Sequence, residues 1–462
     1  MGRKMPLLDI TGKDMADGIR SIAEALGAKS RISFKRLQEI IRAGRIDEYM
    51  AIGDEIEVER EKSVSVSSSN VSLTVTISED TWDEHVEHLH HGAYEFVYDG
   101  YEWSERELGA GLDMAYYGIS ITGTPAADDV ILVTVTTDTL VFVYVAKDKV
   151  TPVNPNLVHS AVFQMKDCIG SWQFDAPEAI IYADAAMPAG TYHFNLYKPS
   201  NIYYLNSGLQ NKDVQFTTTV DIPAGGQLVL STGSFKDSTQ VSDLKLTSYG
   251  SRGSVTALES NIVCSEGTSG TDLGDANKAS NNTKINSTDR CVYGSNRWAE
   301  SALRARLNSN KAANAWWAAQ GRFDRRPSGY DSAAFMHGIE KDFLNVLQPI
   351  KNTTVENWFD GGASHVTNDL FFVPSNSQVW FTSSDTEGEP WDFYTMFSDN
   401  VSAGTGADSN RIKRVSGSAT YWWTRTPFSD RSSLEFFVYP GGSRDVTNAY
   451  GTYGVAPACV IA

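Results

Sequence analysis

The run Tyr421-Trp-Trp-Thr-Arg-Thr-Pro427, followed by residues 428–453 and closed by Tyr453-Gly-Val-Ala-Pro-Ala458, decides how this chain is read. Two adjacent indoles among β-prone residues predict a strand that sends at least one ring into a core, because successive side chains face opposite sides. The apolar closing segment predicts a second strand. Between them Tyr, Phe, Arg, Ser, Asp and Gly predominate, the mixture of rigid amphipathic aromatics and small adaptable polar groups that antibody paratopes use. Gly441-Gly442 predicts the hairpin turn within that interval. The side chains expected to form a ligand surface are Phe428, Asp430, Arg431, Ser433, Phe437, Tyr439, Ser443, Arg444, Asp445, Thr447, Asn448, Tyr450 and Tyr453. The aromatics supply contact area at low entropic cost, the arginines can pair with carboxylates or stack on sugars, and the rest supply hydrogen bonds. Trp422, Trp423, Arg425 and Gly454 are expected to be scaffold. The competing reading is an ordinary edge hairpin with half-buried aromatics.

Upstream, residues 240–420 mix helices with short strands. Residues 297–308 predict a helix with Trp298, Ala302, Leu303 and Leu307 on one face, residues 313–319 a helix or turn, and residues 370–374 a buried strand. Residues 152–230 are β in character, with Pro188-Ala-Gly and Pro223-Ala-Gly as turn signals. Residues 61–149 also predict short strands separated by turns, a small all-β, sandwich-like module. At the start, residues 14–26 and 34–43 predict two short amphipathic helices, the second capped by Ser33, and Gly53-Asp54 predicts a turn into a strand. Helices this short are marginal alone and must pack on something.

The fold class expected is therefore α+β and multidomain. It comprises an N-terminal helical assembly or docking segment (1–60), an inserted all-β module (61–149), a β-rich module (150–239) and a carboxy-terminal binding domain (240–462) whose variable region covers about 421–458.

Composition narrows the function. The 462 residues are 41% hydrophobic, enough for two to four domains with cores of their own. A net charge of -18 and no block of Lys and Arg argue against nucleic-acid binding. No run of about 20 apolar residues exists to span a membrane, and the first residues lack a signal-peptide core, so synthesis in a bacterial cytoplasm is expected. Cys168, Cys264, Cys291 and Cys459 form no CxxC pair; buried thiols or a Cys264–Cys291 bridge are both open. His85, His88, His90 and His91 cluster, but a solvated helix face accounts for them without a metal. No nucleophile elbow, phosphate loop or HExxH motif is present, so neither an enzyme nor a cofactor is expected.

Tyr293-Gly-Ser-Asn-Arg-Trp-Ala-Glu-Ser-Ala-Leu-Arg-Ala-Arg-Leu-Asn-Ser309, Phe371-Phe-Val-Pro-Ser375, the double-Trp run and the closing Tyr-Gly-Val-Ala-Pro-Ala occur in that order. Together they resemble the uncharacterised domain family found in gut Firmicutes and their phages, which includes variable proteins of diversity-generating retroelements. With Gly53-Asp54, Gln173-Phe-Asp-Ala-Pro-Glu178 and Pro188-Ala-Gly-Thr-Tyr-His-Phe194, the resemblance covers about 46–60 and 150–462. It implies a C-type-lectin-like carboxy-terminal domain and a surface diversified by error-prone copying at adenines. Such copying turns Asn codons into many others but never into codons for Lys, Glu, Gln, Met or Trp. Between residues 428 and 454 only Glu435 is of those types, where average usage gives about four or five. Glu389-Pro-Trp391 matches only part of a lectin calcium loop, so recognition without an obligatory metal is expected. The stretches Tyr94-Glu-Phe-Val-Tyr-Asp-Gly-Tyr-Glu-Trp103 and Tyr117-Gly-Ile-Ser-Ile-Thr-Gly-Thr-Pro125 resemble small β modules of phage virion proteins.

The resulting expectation is a receptor-binding virion protein of a phage or prophage, homo-oligomeric, with a trimer favoured by analogy. Its N-terminal segment would attach to the virion, and its ligand would be a host-cell surface protein or glycan. The alternatives are a carbohydrate-active enzyme or accessory module, and a bacterial surface adhesin.

Overall fold

The computed structural model describes residues 32–86, 92–177, 181–183, 186, 188–196, 212–228, 241–248, 256–257, 262–264, 293–320, 324–357, 362–381, 387–399, 406–429 and 431–462. Strand outweighs helix, so the architecture is mixed α+β with β-rich parts.

Its axis is a long antiparallel ribbon of Glu55–Ser68 and Val130–Lys147. Alternation forms it: Ile56 and Val58 are buried while Glu57 and Glu59 are half exposed, as a strand with one wet face requires. Gly53, at a φ of +95°, turns the chain into it, where the Gly53-Asp54 pair predicted. Lys62 is the extra residue of a bulge, since Glu61 pairs with Thr137 and Ser63 already with Thr136. On Val130–Lys147, Leu140 and Phe142 enter one core, whereas Ile131, Val133 and Val135 enter a second. One strand thus passes from the second core, at its Ile131 end, into the first, from Leu140 on.

The second core gathers Trp82, Tyr94, Phe96, Trp103, Met114 and Ile119 from residues 64–135. At the bulge the ribbon is clamped to the main body: the Glu61 N–H donates to Gly338 O (2.7 Å) and the Glu340 N–H to Glu59 O (3.0 Å). Gly338 allows the approach, for a Cβ there would lie 2.9 Å from Glu61 O.

The first core holds two sheets together. An eight-stranded sheet runs Phe371–Phe372, Ala458–Ile461, Ala161–Met165, Val130–Lys147, Gly92–Tyr98, Trp103–Glu105 and Gly109–Ala110, with Glu55–Ser68 also on Val130–Lys147. A five-stranded sheet runs Arg444–Asn448, Leu434–Val438, Trp422–Pro427, Thr452–Val455 and Gly170–Gln173. Residues 161–173 therefore pair with the carboxy-terminal strands and share their two sheets. Farther along, Gly190–Leu196 pairs with Lys212–Thr218, placing a hairpin after Pro188.

The helix Phe34–Arg42 is capped by Ser33 as expected and finds the cover that so short a helix requires. It buries Leu37, Ile40 and Ile41, packs Phe34 on Phe343 (5.0 Å), and its Gln38 and Arg42 donate to Ala462 O. Residues 14–26 lie outside the described residues. The expected helix over 297–308 is broken at Ser301, whose ψ of 142° ends the 3-10 turn Trp298–Glu300 and whose hydroxyl caps Ala302–Leu307 by accepting from Arg304 N. The four apolar residues of the predicted face are all buried nonetheless.

Candidate functional site

Leu434–Val438 and Arg444–Asn448 form the predicted hairpin, turned at Gly441-Gly442 by the Tyr439 N–H to Ser443 O (2.7 Å) and the Gly442 N–H to Tyr439 O (2.8 Å). Gly442 has a φ of +85°, and a Cβ there would meet Asp408 O at 2.0 Å, so no other residue fits. Trp423, Phe437 and Asp445 are successive cross-strand partners and share one face of the sheet. Trp422, Val438 and Arg444 share the other.

On the first face a tyrosine cluster reaches solvent. Tyr421 lies 5.2 Å from Tyr439 and 5.5 Å from Tyr453, ring centre to ring centre. Phe437 stacks on Tyr453 at 5.2 Å with 8° between planes, and Tyr453 stands edge-on to Trp423 at 4.9 Å. The outer strand fixes two phenols: Tyr439 Oη donates to Asp445 (3.2 Å), and Tyr453 Oη is 3.3 Å from Thr447 Oγ1. The Asp445 hydrogen bond, then its charge, raises the Tyr439 phenol above its ordinary pKa, so it stays a donor at neutral pH. The cluster is a platform on which Tyr421 is exposed and Tyr439 and Tyr453 are half-buried.

The structure divides the predicted ligand residues. Tyr439, Asp445, Thr447 and Tyr453 meet on that platform. Arg444 and Phe428 belong to the opposite face, where the Arg444 guanidinium lies 4.6 Å over Phe436 and Phe428 stands 5.8 Å from the same ring. Tyr450 is 45% exposed but apart, stacked on Tyr293 at 6.0 Å. Arg431, Ser443 and Asn448 are half exposed in the turns and edge, and Asp430 lies outside the described residues. Ser433 and Phe437 are buried, at 1% and 4% exposure, and are corrected from surface to scaffold: alternation carries Phe437 inward beside Trp423. Missed by sequence reasoning was Tyr421, 38% exposed and central. The available signal was its spacing of two from Trp423.

Scaffold expectations fare differently. Both indoles are fully buried, donating to Arg411 O (2.8 Å) and Trp172 O (2.9 Å). Arg425 is buried, donating to Thr353 O (3.0 Å), Glu387 O (3.1 Å) and Gln378 Oε1 (3.3 Å). Gly454 admits no side chain, since a Cβ would lie 2.7 Å from both Cys168 Sγ and Tyr421 O. Glu435 is fully buried; desolvation first, and the Glu387 charge second, hold its carboxyl well above the usual range.

Elsewhere, Cys168 and Cys459 are buried free thiols, and burial pushes Cys168 up to about 12. The Cys264–Cys291 pairing lies outside the described side chains. His85 packs on Tyr116 at 4.0 Å, while His88, His90 and His91 lie outside the described residues. Among the described residues no three His, Cys, Asp or Glu side chains converge as metal ligands, and no helix is long and apolar enough to cross a membrane. A groove of about 510 Å³ lined by Phe393, Phe397, Lys166 and Arg414, among others, contains none of the predicted ligand residues.

Residues 256–462 match the family described as a domain of unknown function (DUF6273). No curated protein and no solved structure matches the chain. The matched segment contains the whole hairpin and both indoles.

Proposed function

We propose that this protein is a receptor-binding protein of a phage or prophage, displaying a ligand surface on a C-type-lectin-like domain. The observation that carries the reading is the open platform of Tyr421, Tyr439 and Tyr453, rimmed by Asp445 and Thr447. Clustered tyrosines with fixed hydroxyls supply apolar area and directed hydrogen bonds at low entropic cost, which is what recognition of a cell-surface protein or glycan needs. The near absence of Lys, Gln, Glu, Met and Trp from residues 428–454 supports diversification of the same surface, and the one exception, Glu435, is buried beneath it. Repeated copies on a particle would add avidity to a weak individual site.

Binding of the full-length protein to host cells and to a glycan array tests the reading. Tyr421→Ala, Tyr439→Ala and Tyr453→Ala should each weaken binding by about tenfold or more, whereas Arg444→Ala, on the opposite face, should change it little. Undiminished binding in all three tyrosine variants would reject the platform.

A further inference from the structure

The groove of about 510 Å³ joins an apolar wall to a buried cation. The strand Val130–Lys147 contributes Val143 and Val145, and the helix Asp392–Met396 with the residue beyond it contributes Phe393 and Phe397, whose rings stand 5.3 Å apart. Phe397 is 42% exposed, a large apolar ring in contact with water. Lys413 lines the same groove and is 5% exposed. Its Nζ donates to Met165 O (2.6 Å) and Lys166 O (3.2 Å), two acceptors for three N–H bonds, and the Trp422 ring lies 5.6 Å away. No carboxylate pairs with it among the described residues. Burial pushes the ammonium down to about 8, although Cys168 and Asp167 draw it up.

The other charges of the groove are arranged differently. Lys166 is paired with Glu55 (2.8 Å), and Asp167 accepts from the Arg414 N–H (2.9 Å), while the exposed Arg414 guanidinium meets only Gly417 O, at 3.4 Å, among the described residues. Three cations and two carboxylates thus line it, an excess of one positive charge in a chain of net charge -18. A buried ammonium gains most from an anion, because little water screens the pair or competes for the N–H. A dianion would be repelled by Glu55 and Asp167, whereas a single carboxylate matches the excess and can accept the third Lys413 N–H. The aromatic wall then covers an apolar body, and the volume falls within the range of about 300–1,000 Å³ usual for small-molecule sites. We propose that this groove binds a small monocarboxylate with an apolar body, its carboxylate on Lys413 and its body against Phe393 and Phe397. The site shares no residue with the tyrosine platform.

Octanoate is the probe, added to the full chain and followed through the amide resonances of Phe393, Phe397 and Ile412. No receptor takes part, so the outcome is separate from that of the cell-binding assay. Saturable shifts are expected with octanoate, and octanol and acetate, which keep only the tail or only the charge, should bind about tenfold more weakly or worse. Lys413→Met keeps a long apolar side chain and removes the charge; it should weaken octanoate binding by about tenfold or more and leave octanol binding as it is. The site would be overturned by an absence of saturable shifts with octanoate up to about 10 mM, by octanol binding as tightly as octanoate, or by undiminished octanoate binding in Lys413→Met. If that variant does not fold, the comparison of the three probes on the wild type decides alone.

Discussion

Glu435 shows how one side chain can be both out of place by chemistry and required by position. It faces inward from the hairpin, near the charges of Glu387 and Arg425, and holds its proton more tightly than the unfolded chain does. Its contribution to stability is therefore fully present below the ordinary carboxyl value of 4.5 and is lost as pH rises above it. Glu435→Gln keeps the shape and removes the titration. We expect the variant to match the wild type near pH 4 and to exceed it by at least about 1 kcal/mol at pH 7, read from urea midpoints across that range; parallel pH profiles would refute this. Gly454→Ala should act in the other direction, because its Cβ would overlap Cys168 Sγ and the Tyr421 carbonyl. A loss of about 2–3 kcal/mol in the same assay is expected. At this scale the sequence was a good guide to what is fixed, such as the Trp422-Trp423 pair and Gly441-Gly442. It was a poor guide to the fully buried Asn296, whose amide donates to Arg431 O (2.8 Å) and Leu434 O (2.7 Å), since contacts so distant in sequence leave no periodic trace.

Among the elements, the hairpin illustrates why the predicted surface was only partly right. The residue types were legible, but their division between two faces depends on register, and register shifts between Trp423 and Pro427 as the inner strand bulges to bring the Arg425 N–H to Pro374 O. No local signal marks that partner. The helix Phe34–Arg42 makes the complementary case: its amphipathic pattern was plain, yet the pattern says only that one face must be covered, not by what. Because the cover is the first core, Leu37→Ala should cost about 2–4 kcal/mol of global stability, measured by thermal or denaturant unfolding. A negligible loss would show that the helix is not held by that core.

The whole molecule is organised by a single ribbon that two cores share. The second core's stretch was legible in the change of composition after residue 60, while the shared strand was not, because nothing in an 18-residue β run says where one core hands over to the next. Since Glu61 and Thr137 are paired neighbours, excising residues 62–136 and closing the gap with Asn-Gly should leave the first core intact. The shortened protein should bind as the full chain does and melt within a few degrees of it; failure to fold would show that the two cores are interdependent. The antiparallel ribbon also fixes how the molecule bears load. A pull on the second core draws both strands in the same sense, so there is little tendency for one to slide past the other. The tension passes instead to the contacts at Gly338 and Glu340 and to the ladder between Val130–Lys147 and Ala161–Met165, which must shear as a unit before the main body yields.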